Sequence, residues 1–356
     1  FDAGFRYNNS VSFNGATDKS EYYVSFSQIS DDGMVPTDAD SYDYTFSARG
    51  SHKVKALTFS SSLNYSYQKN KFATTGQGLT MLNSLYQTPR DVSIISLQDQ
   101  NDIFNSPGYF YTPYGVMNPY YILENYLNEY DAERFYGKFQ VDYDFLKYFK
   151  FTYRMGLDTT TGQSNRGEPN LYALFYEGTP NGEGMGSNSP FYGKEGSYSQ
   201  QITRRREINQ DLLLSFSMPI NDFQINALAG FNGNERKYSY LYSSVSKLTI
   251  PTWYNLSNSA ATPTVEQYLS LRRLMGVFGQ VDLSWRNMLY VTLTARNDWS
   301  STLPKENRSF FYPGVTGSFI FTELLDEDMK DILSFGKVRM AWGKTGNDAN
   351  VYMTKP

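Results

Sequence analysis

Few side chains in this sequence are of the kind that carry out chemistry. His52 is the only histidine among 356 residues, and there is no cysteine. A Ser-His-Asp system or a histidine-rich metal site needs more than one imidazole at a turn. Without cysteine, disulfides, thiolate catalysis and thiolate-held metals are excluded. Gly182, Gly184 and Gly186 make a glycine-rich stretch, but no strand feeds it and no helix follows, so the setting of a phosphate loop is missing. Asp31, Asp32, Asp38 and Asp40 share one segment. Their spacing lacks the glycine and terminal glutamate of an EF-hand, and a solvated loop fits them better than calcium. The expectation is therefore no enzyme, no cofactor and no metal site. A formal charge of −4 leaves no footprint for nucleic acid.

What remains is recognition chemistry. Pro107-Gly108-Tyr109-Phe110-Tyr111-Thr112-Pro113-Tyr114, Asn118-Pro119-Tyr120-Tyr121 and Pro251-Thr252-Trp253-Tyr254-Asn255 are rich in aromatics, amides and proline. Ring faces beside amides suit a sugar or peptide ligand, a protein interface, or the packing of the loop itself, and all three readings stay open. Tyr109, Phe110, Tyr111, Tyr114, Trp253 and Tyr254 are the candidate ligand- or partner-contacting residues. Arg204-Arg205-Arg206 is expected where a strand leaves a loop, either against lipid phosphates or as a plain charged rim.

The elements that would position these loops follow a period of two. Leu289, Val291, Leu293 and Ala295 alternate with Tyr290, Thr292, Thr294 and Arg296, and Leu57, Phe59, Leu63, Tyr65 and Tyr67 with Thr58, Ser60, Asn64, Ser66 and Gln68. About twelve such segments, each long enough to cross a bilayer as a tilted strand, are predicted near 5–14, 21–30, 42–51, 56–68, 132–144, 148–160, 206–218, 223–236, 273–285, 288–298, 312–321 and 335–345. On this alternation Leu293, Val291, Leu283, Val281, Phe216 and Leu214 belong to the apolar face. Mean hydropathy is only −0.53, while aromatic residues make up 17% of the chain. That combination suits a sheet with one greasy and one wet face, as in a membrane barrel.

The connections alternate short and long. Short ones are predicted near 15–20, 50–55, 144–147, 219–222, 286–287 and 322–334, the last a short helical turn. Long ones are predicted near 31–41, 69–131, 161–205, 237–272 and 299–311. Outer-membrane barrels put short turns in the periplasm and long loops outside the cell, whereas a soluble sandwich has no reason to sort them. Aromatics bunch at segment ends, as at Tyr22-Tyr23, Tyr65/Tyr67 and Phe310-Phe311-Tyr312, and read as interfacial girdles. The fold class is thus all-β, an antiparallel transmembrane barrel.

Leu293-Thr294-Ala295-Arg296-Asn297-Asp298-Trp299-Ser300-Ser301-Thr302-Leu303-Pro304, then Phe311-Tyr312-Pro313-Gly314-Val315, then Phe335-Gly336-Lys337-Val338-Arg339-Met340-Ala341-Trp342-Gly343-Lys344-Thr345-Gly346-Asn347 resemble the SusC/RagA-type TonB-dependent transporters. Asn9–Ala16 leading into Tyr22–Ser27 also fits. The resemblance implies a bacterial outer-membrane, 22-stranded barrel with a plug. It further implies active import of a large oligosaccharide or peptide, a SusD-type lipoprotein lid, and coupling to the TonB energy complex. Residues 1–356 are expected to be a partial barrel domain, about twelve strands of the cylinder, with the plug and the TonB-contacting parts elsewhere. The alternative is a self-contained passive pore or secretion barrel.

Overall fold

In a computed structural model, which describes residues 4–33, 35, 41–111, 116–176, 189 and 191–353, the strands form one sheet. The twelve strands are β1 (Arg6–Ala16), β2 (Ser20–Asp31), β3 (Ser41–Val54), β4 (Leu57–Lys71), β5 (Leu127–Leu146), β6 (Phe149–Glu168), β7 (Ser197–Ile220), β8 (Phe223–Ser246), β9 (Thr264–Trp285), β10 (Leu289–Ser300), β11 (Ser309–Ile320) and β12 (Lys337–Gly343). Each strand pairs antiparallel with its sequence neighbours, in the order β1 to β12. No helix among the described residues is long and apolar enough to cross a membrane.

The ladder registers carry the apolar face around the sheet. Phe149 faces Phe216, Phe216 faces Ala227, Ala227 faces Val281, Val281 faces Leu293, Leu293 faces Val315, and Val315 faces Trp342. Directly opposed residues share a face, so this row and its neighbours two residues away form a continuous outward band. Leu293, Leu214 and Leu283 are all exposed there, because lipid, not protein, covers them. The register puts Leu293, Val291, Leu283, Val281, Phe216 and Leu214 on one face, as the alternation predicts.

Five of the six periplasmic connections are tight. Asn221 (φ 52°) and Asn287 (φ 55°) take the left-handed conformation that asparagine tolerates better than most residues. The Arg286 guanidinium reaches the Asp222 carboxylate of the neighbouring turn at 2.9 Å. At the lower rim Phe149 and Phe216 rings lie 4.9 Å apart and Phe223 packs near Trp285. At the upper rim Tyr44 stacks between Phe26 and Tyr67. These are the two girdles expected at the interfaces.

The strand lengths differ from expectation on the outer side. β7 and β8 have 24 residues each, and β5, β6 and β9 likewise run well beyond their predicted outer ends. A strand tilted about 40° gains about 2.5 Å of height per residue. These strands therefore stand well above the roughly 25 Å apolar band. Up there both faces meet water, the period of two fades, and the backbone goes on pairing. Arg204, Arg205 and Arg206 accordingly sit inside β7, not where a strand leaves a loop. β12 is shorter than expected. The connection before it carries the helical turn foreseen, Glu327–Ile332.

At the bilayer midplane an arginine on the outer face costs roughly 2–4 kcal/mol. In the full-length protein, Leu293→Arg should sharply reduce assembled barrel on heat-modifiable gels. Thr294→Arg, on the wet face, should assemble as wild type. Equal shifts for the two would mean the faces are misassigned.

Candidate functional site

Three external connections build one cap over the outer end of the sheet. The first holds two short helices, α1 (Met81–Gln87) and α2 (Pro119–Asn125). Asn118 caps α2 by accepting from the Tyr120 amide at 2.9 Å, with Pro119 at the first helical position, where a missing N–H does no harm. Its amide nitrogen, fully buried, donates to the carbonyls of Leu97 at 2.7 Å and Asn105 at 2.8 Å. One side chain thus ties three stretches together.

Apolar cores form around that tie. Met81, Met117, Tyr121 and Ile122 bury against Leu171 and Phe191 of the β6–β7 connection. Leu97, Phe110, Val116 and Tyr120 make a second core. Tyr198, Val245 and Leu248 make a third, against which Tyr254 and Leu256 pack. Tyr254 donates its hydroxyl to the Asn125 carbonyl. Its ring lies where a Cβ on Gly167 would come within 2.5 Å, so glycine is needed there for the close approach. Asn170 donates to the Leu248 carbonyl at 2.7 Å, and Asn258 holds Ile250 and Trp253 through their carbonyls. Burial pushes the Tyr121, Tyr126 and Tyr254 hydroxyls well above their ordinary value.

The candidate aromatics divide accordingly. Phe110 is 3% exposed and Tyr254 is packed, so both serve the cores. Tyr109, Tyr111 and Trp253 are 37%, 36% and 46% exposed, with the Tyr111 ring edge-on to Phe110 at 5.2 Å. Tyr114 lies outside the described residues, as do Gly182, Gly184, Gly186, Asp38 and Asp40. Asp31 ends β2, pairing with Arg6 at 3.7 Å, and His52 shares a 2.7 Å hydrogen bond with Ser20. Among the described residues no group of three potential metal ligands occurs.

Sequence reading missed a second feature, on the lumen side just below the cap. Arg134, Arg205, Arg236 and Arg272 line a cavity of about 600 Å3 together with Tyr238. Arg134 holds Asp158 in two hydrogen bonds, at 3.0 and 2.6 Å, and Arg236 holds Glu207 at 3.0 Å. Arg205 instead lies over the Tyr238 ring at 5.4 Å. Tyr240 stacks on Tyr268 at 5.6 Å. These pairs form across strands, so only the register brings them together.

Residues 344–353 fold back across this lumen face. Asp348 pairs with Arg272 and accepts from Ser300 at 2.5 Å and Thr302 at 3.1 Å, while Tyr352 donates to the Leu269 carbonyl at 2.9 Å. Burial alone would raise the Asp348 carboxyl, but the Ser300 hydroxyl and the Arg272 guanidinium outweigh it and hold the carboxyl below its ordinary value. Among the described residues the mouth thus offers guanidinium and ring faces of the kind that bind polar groups.

Two outcomes follow for the full-length protein. Asn118→Leu leaves the Leu97 and Asn105 carbonyls and the Tyr120 amide unpaired, at about 1–3 kcal/mol each, and should open the 72–126 connection to protease while the barrel stays heat-modifiable. A carboxyl held below its ordinary value stabilises above that value and stops doing so as pH falls through it. Residues 344–353 should therefore become protease-sensitive as pH drops through and below 3.8, and Asp348→Asn should show that sensitivity already at neutral pH.

No family model matches the sequence. TonB-dependent receptor P3 of Formosa agariphila is 23% identical over 353 residues, 96% of this chain and 33% of that protein. TonB-dependent receptor SusC of Bacteroides thetaiotaomicron is 24% identical, over 94% of this chain and 33% of that protein. The chain thus spans about a third of the length of the curated relatives it matches. Among solved structures, the RagAB peptide transporter superposes with a TM-score of 0.74 at 16% identity, over 96% of this chain and 37% of that one. The unliganded ferric citrate transporter FecA gives 0.52 at 7% identity, over 89% of this chain and 39% of that one. With the twelve-stranded sheet and its girdles, these likenesses give the chain the outer-membrane barrel fold of TonB-dependent receptors, with sequence similarity to SusC-type members.

Proposed function

We propose that this chain forms the wall and mouth of a 22-stranded, plugged barrel that imports a large nutrient, an oligosaccharide or a peptide, across the outer membrane. Energy enters through TonB by way of parts outside these residues, and a SusD-type lipoprotein closes the mouth as a lid. The barrel performs no chemistry on its cargo. The observation that carries this reading is the cap, an ordered external structure with its own buried cores that leaves Tyr109, Tyr111 and Trp253 exposed on a fixed backbone. Rigid, amphipathic rings of this kind favour recognition because little entropy is lost on binding. The likeness to the RagAB peptide transporter supports a peptide among the cargo classes, and the likeness to SusC supports TonB-dependent import.

The test replaces Tyr109, Tyr111 and Trp253 with serine in the full-length protein, expressed with its lipoprotein. These rings lie outside the buried cores, so the barrel should still assemble. Anchors in an interface lose about tenfold or more in affinity on truncation, so lid co-purification or accumulation of labelled peptide and oligosaccharide pools should fall by at least that much. Wild-type values for both would leave the three rings without a role in recognition. Dissipating the proton gradient separates the rival pore, because energised import should stop and passive flux should continue.

A further inference from the structure

Above the apolar band, the outward face of β7, β8 and β9 carries four cations, Arg204, Arg206, Lys237 and Arg273, interspersed with Ile208, Leu269 and Leu271. Taking about 2.5 Å of height per residue, a band of about 25 Å reaches from the Phe223–Trp285 girdle up to Gly233 and Met275. The next outward rows are Glu235 with Arg273, then Arg206 with Lys237, then Arg204. They stand at the level of the outer-leaflet headgroups. Arg308, from the β10–β11 connection, reaches the same place.

Three observations there point to an anion. First, Arg206 and Lys237 are direct cross-strand partners, and like charges so placed repel. Second, Glu235 is the only carboxylate on this stretch of the outward face of β7–β9. It is shared between Arg206 at 3.0 Å and Arg273 at 2.8 Å, which fixes both guanidiniums but leaves most of the positive charge uncompensated. Third, a groove of about 670 Å3 runs down from Arg273, Arg308 and Ile208 onto Phe231, Met275 and Trp299. It is cationic at the top and apolar at the bottom, continuous with the lipid-facing band.

We infer that this groove binds a phosphate-bearing lipid of the outer leaflet, with its phosphate on Arg273 and Arg308 and its chains along Phe231 and Met275. Guanidinium groups match phosphate oxygens in paired, charge-assisted hydrogen bonds, and basic pockets on membrane proteins recognise lipid headgroups this way. Arg204, Arg206 and Lys237 extend the site toward a second phosphate of the same headgroup. The cluster lies outside the lumen and takes no part in the proposed passage of cargo.

The experiment titrates the full-length detergent-solubilised protein with lipid A carrying both phosphates, with lipid A stripped of them, and with millimolar inorganic phosphate as competitor, read by native mass spectrometry. Wild type should hold the phosphorylated lipid at least about tenfold more tightly than the stripped one, the scale set by losing charge-assisted bonds. Combined Arg273→Ala and Arg308→Ala should abolish that preference, while Arg49→Ala, which removes a cation from the lumen face, should keep it. Equal retention of the two lipids by wild type overturns the inference without recourse to any variant. Displacement by free phosphate would assign the site to a small anion instead. A dimer that becomes monomeric in the double variant, with lipid preference unchanged, would assign the face to a second copy.

Discussion

In hydrocarbon, a backbone amide or carbonyl without a partner costs several kcal/mol, because no water is present to replace it. The ladder from β1 to β12 answers that constraint, pairing every strand with its sequence neighbours and leaving turns of only a few residues on the periplasmic side, the β11–β12 connection excepted. The side-chain pattern follows from it. A slip of one residue anywhere would turn Phe216, Val281 and Leu293 into the lumen and Asp211, Asp282 and Thr294 into lipid. The faces of twelve strands are thus set together, and no strand chooses its register alone.

Among the described residues, polar groups on the wet face are joined laterally from strand to strand. Gln140-Val141-Asp142 on β5 and Gln280-Val281-Asp282 on β9 repeat the same three residues. Asp142 accepts from Gln140 at 2.8 Å and from Thr152 on the next strand at 2.6 Å. Asp282 accepts from Gln280 at 2.8 Å and from Thr292 at 2.6 Å. Between them, Asp211 takes Arg154 at 2.8 Å and Asn232 at 2.6 Å. Bonds between adjacent strands brace the wall as a bundle's core would, and the valine between Gln and Asp faces lipid in both repeats.

How much of this was legible depended on the solvent around each residue. Where lipid covers one face, Leu289, Val291 and Leu293 betray the strand, and all twelve could be read. From Ser197 to Arg205 on β7 both faces are wet, so residues that pair as a strand looked like loop. Asn118, Asn170 and Asn258 are central to the cap, yet an asparagine bonded to buried carbonyls is compositionally the same as one in water. Arg134 and Asp158 are 24 positions apart, and only the register of β5 against β6 joins them. The aromatic segments were visible as a class, but the division of Phe110 and Tyr254 from Tyr109, Tyr111 and Trp253 needed the packing.

That division has a physical origin in the height of the cap. Above the bilayer no lipid covers apolar side chains, so the long connections must bury their own: Met117, Ile122 and Phe191 are fully enclosed. Buried asparagines meanwhile satisfy the carbonyls that such irregular backbone leaves unpaired. Once Phe110, Tyr120, Tyr121 and Tyr254 are committed to those cores, the backbone that carries the remaining rings is fixed, and their exposure is a standing feature of the mouth. Residues 344–353 are held differently. They dock through Asp348 and Tyr352 with no apolar core of their own among the described residues, so far less surface must be exposed to release them. The cap is held by buried apolar cores, and the segment lying over Arg272 and Tyr268 by polar and ring contacts alone among the described residues.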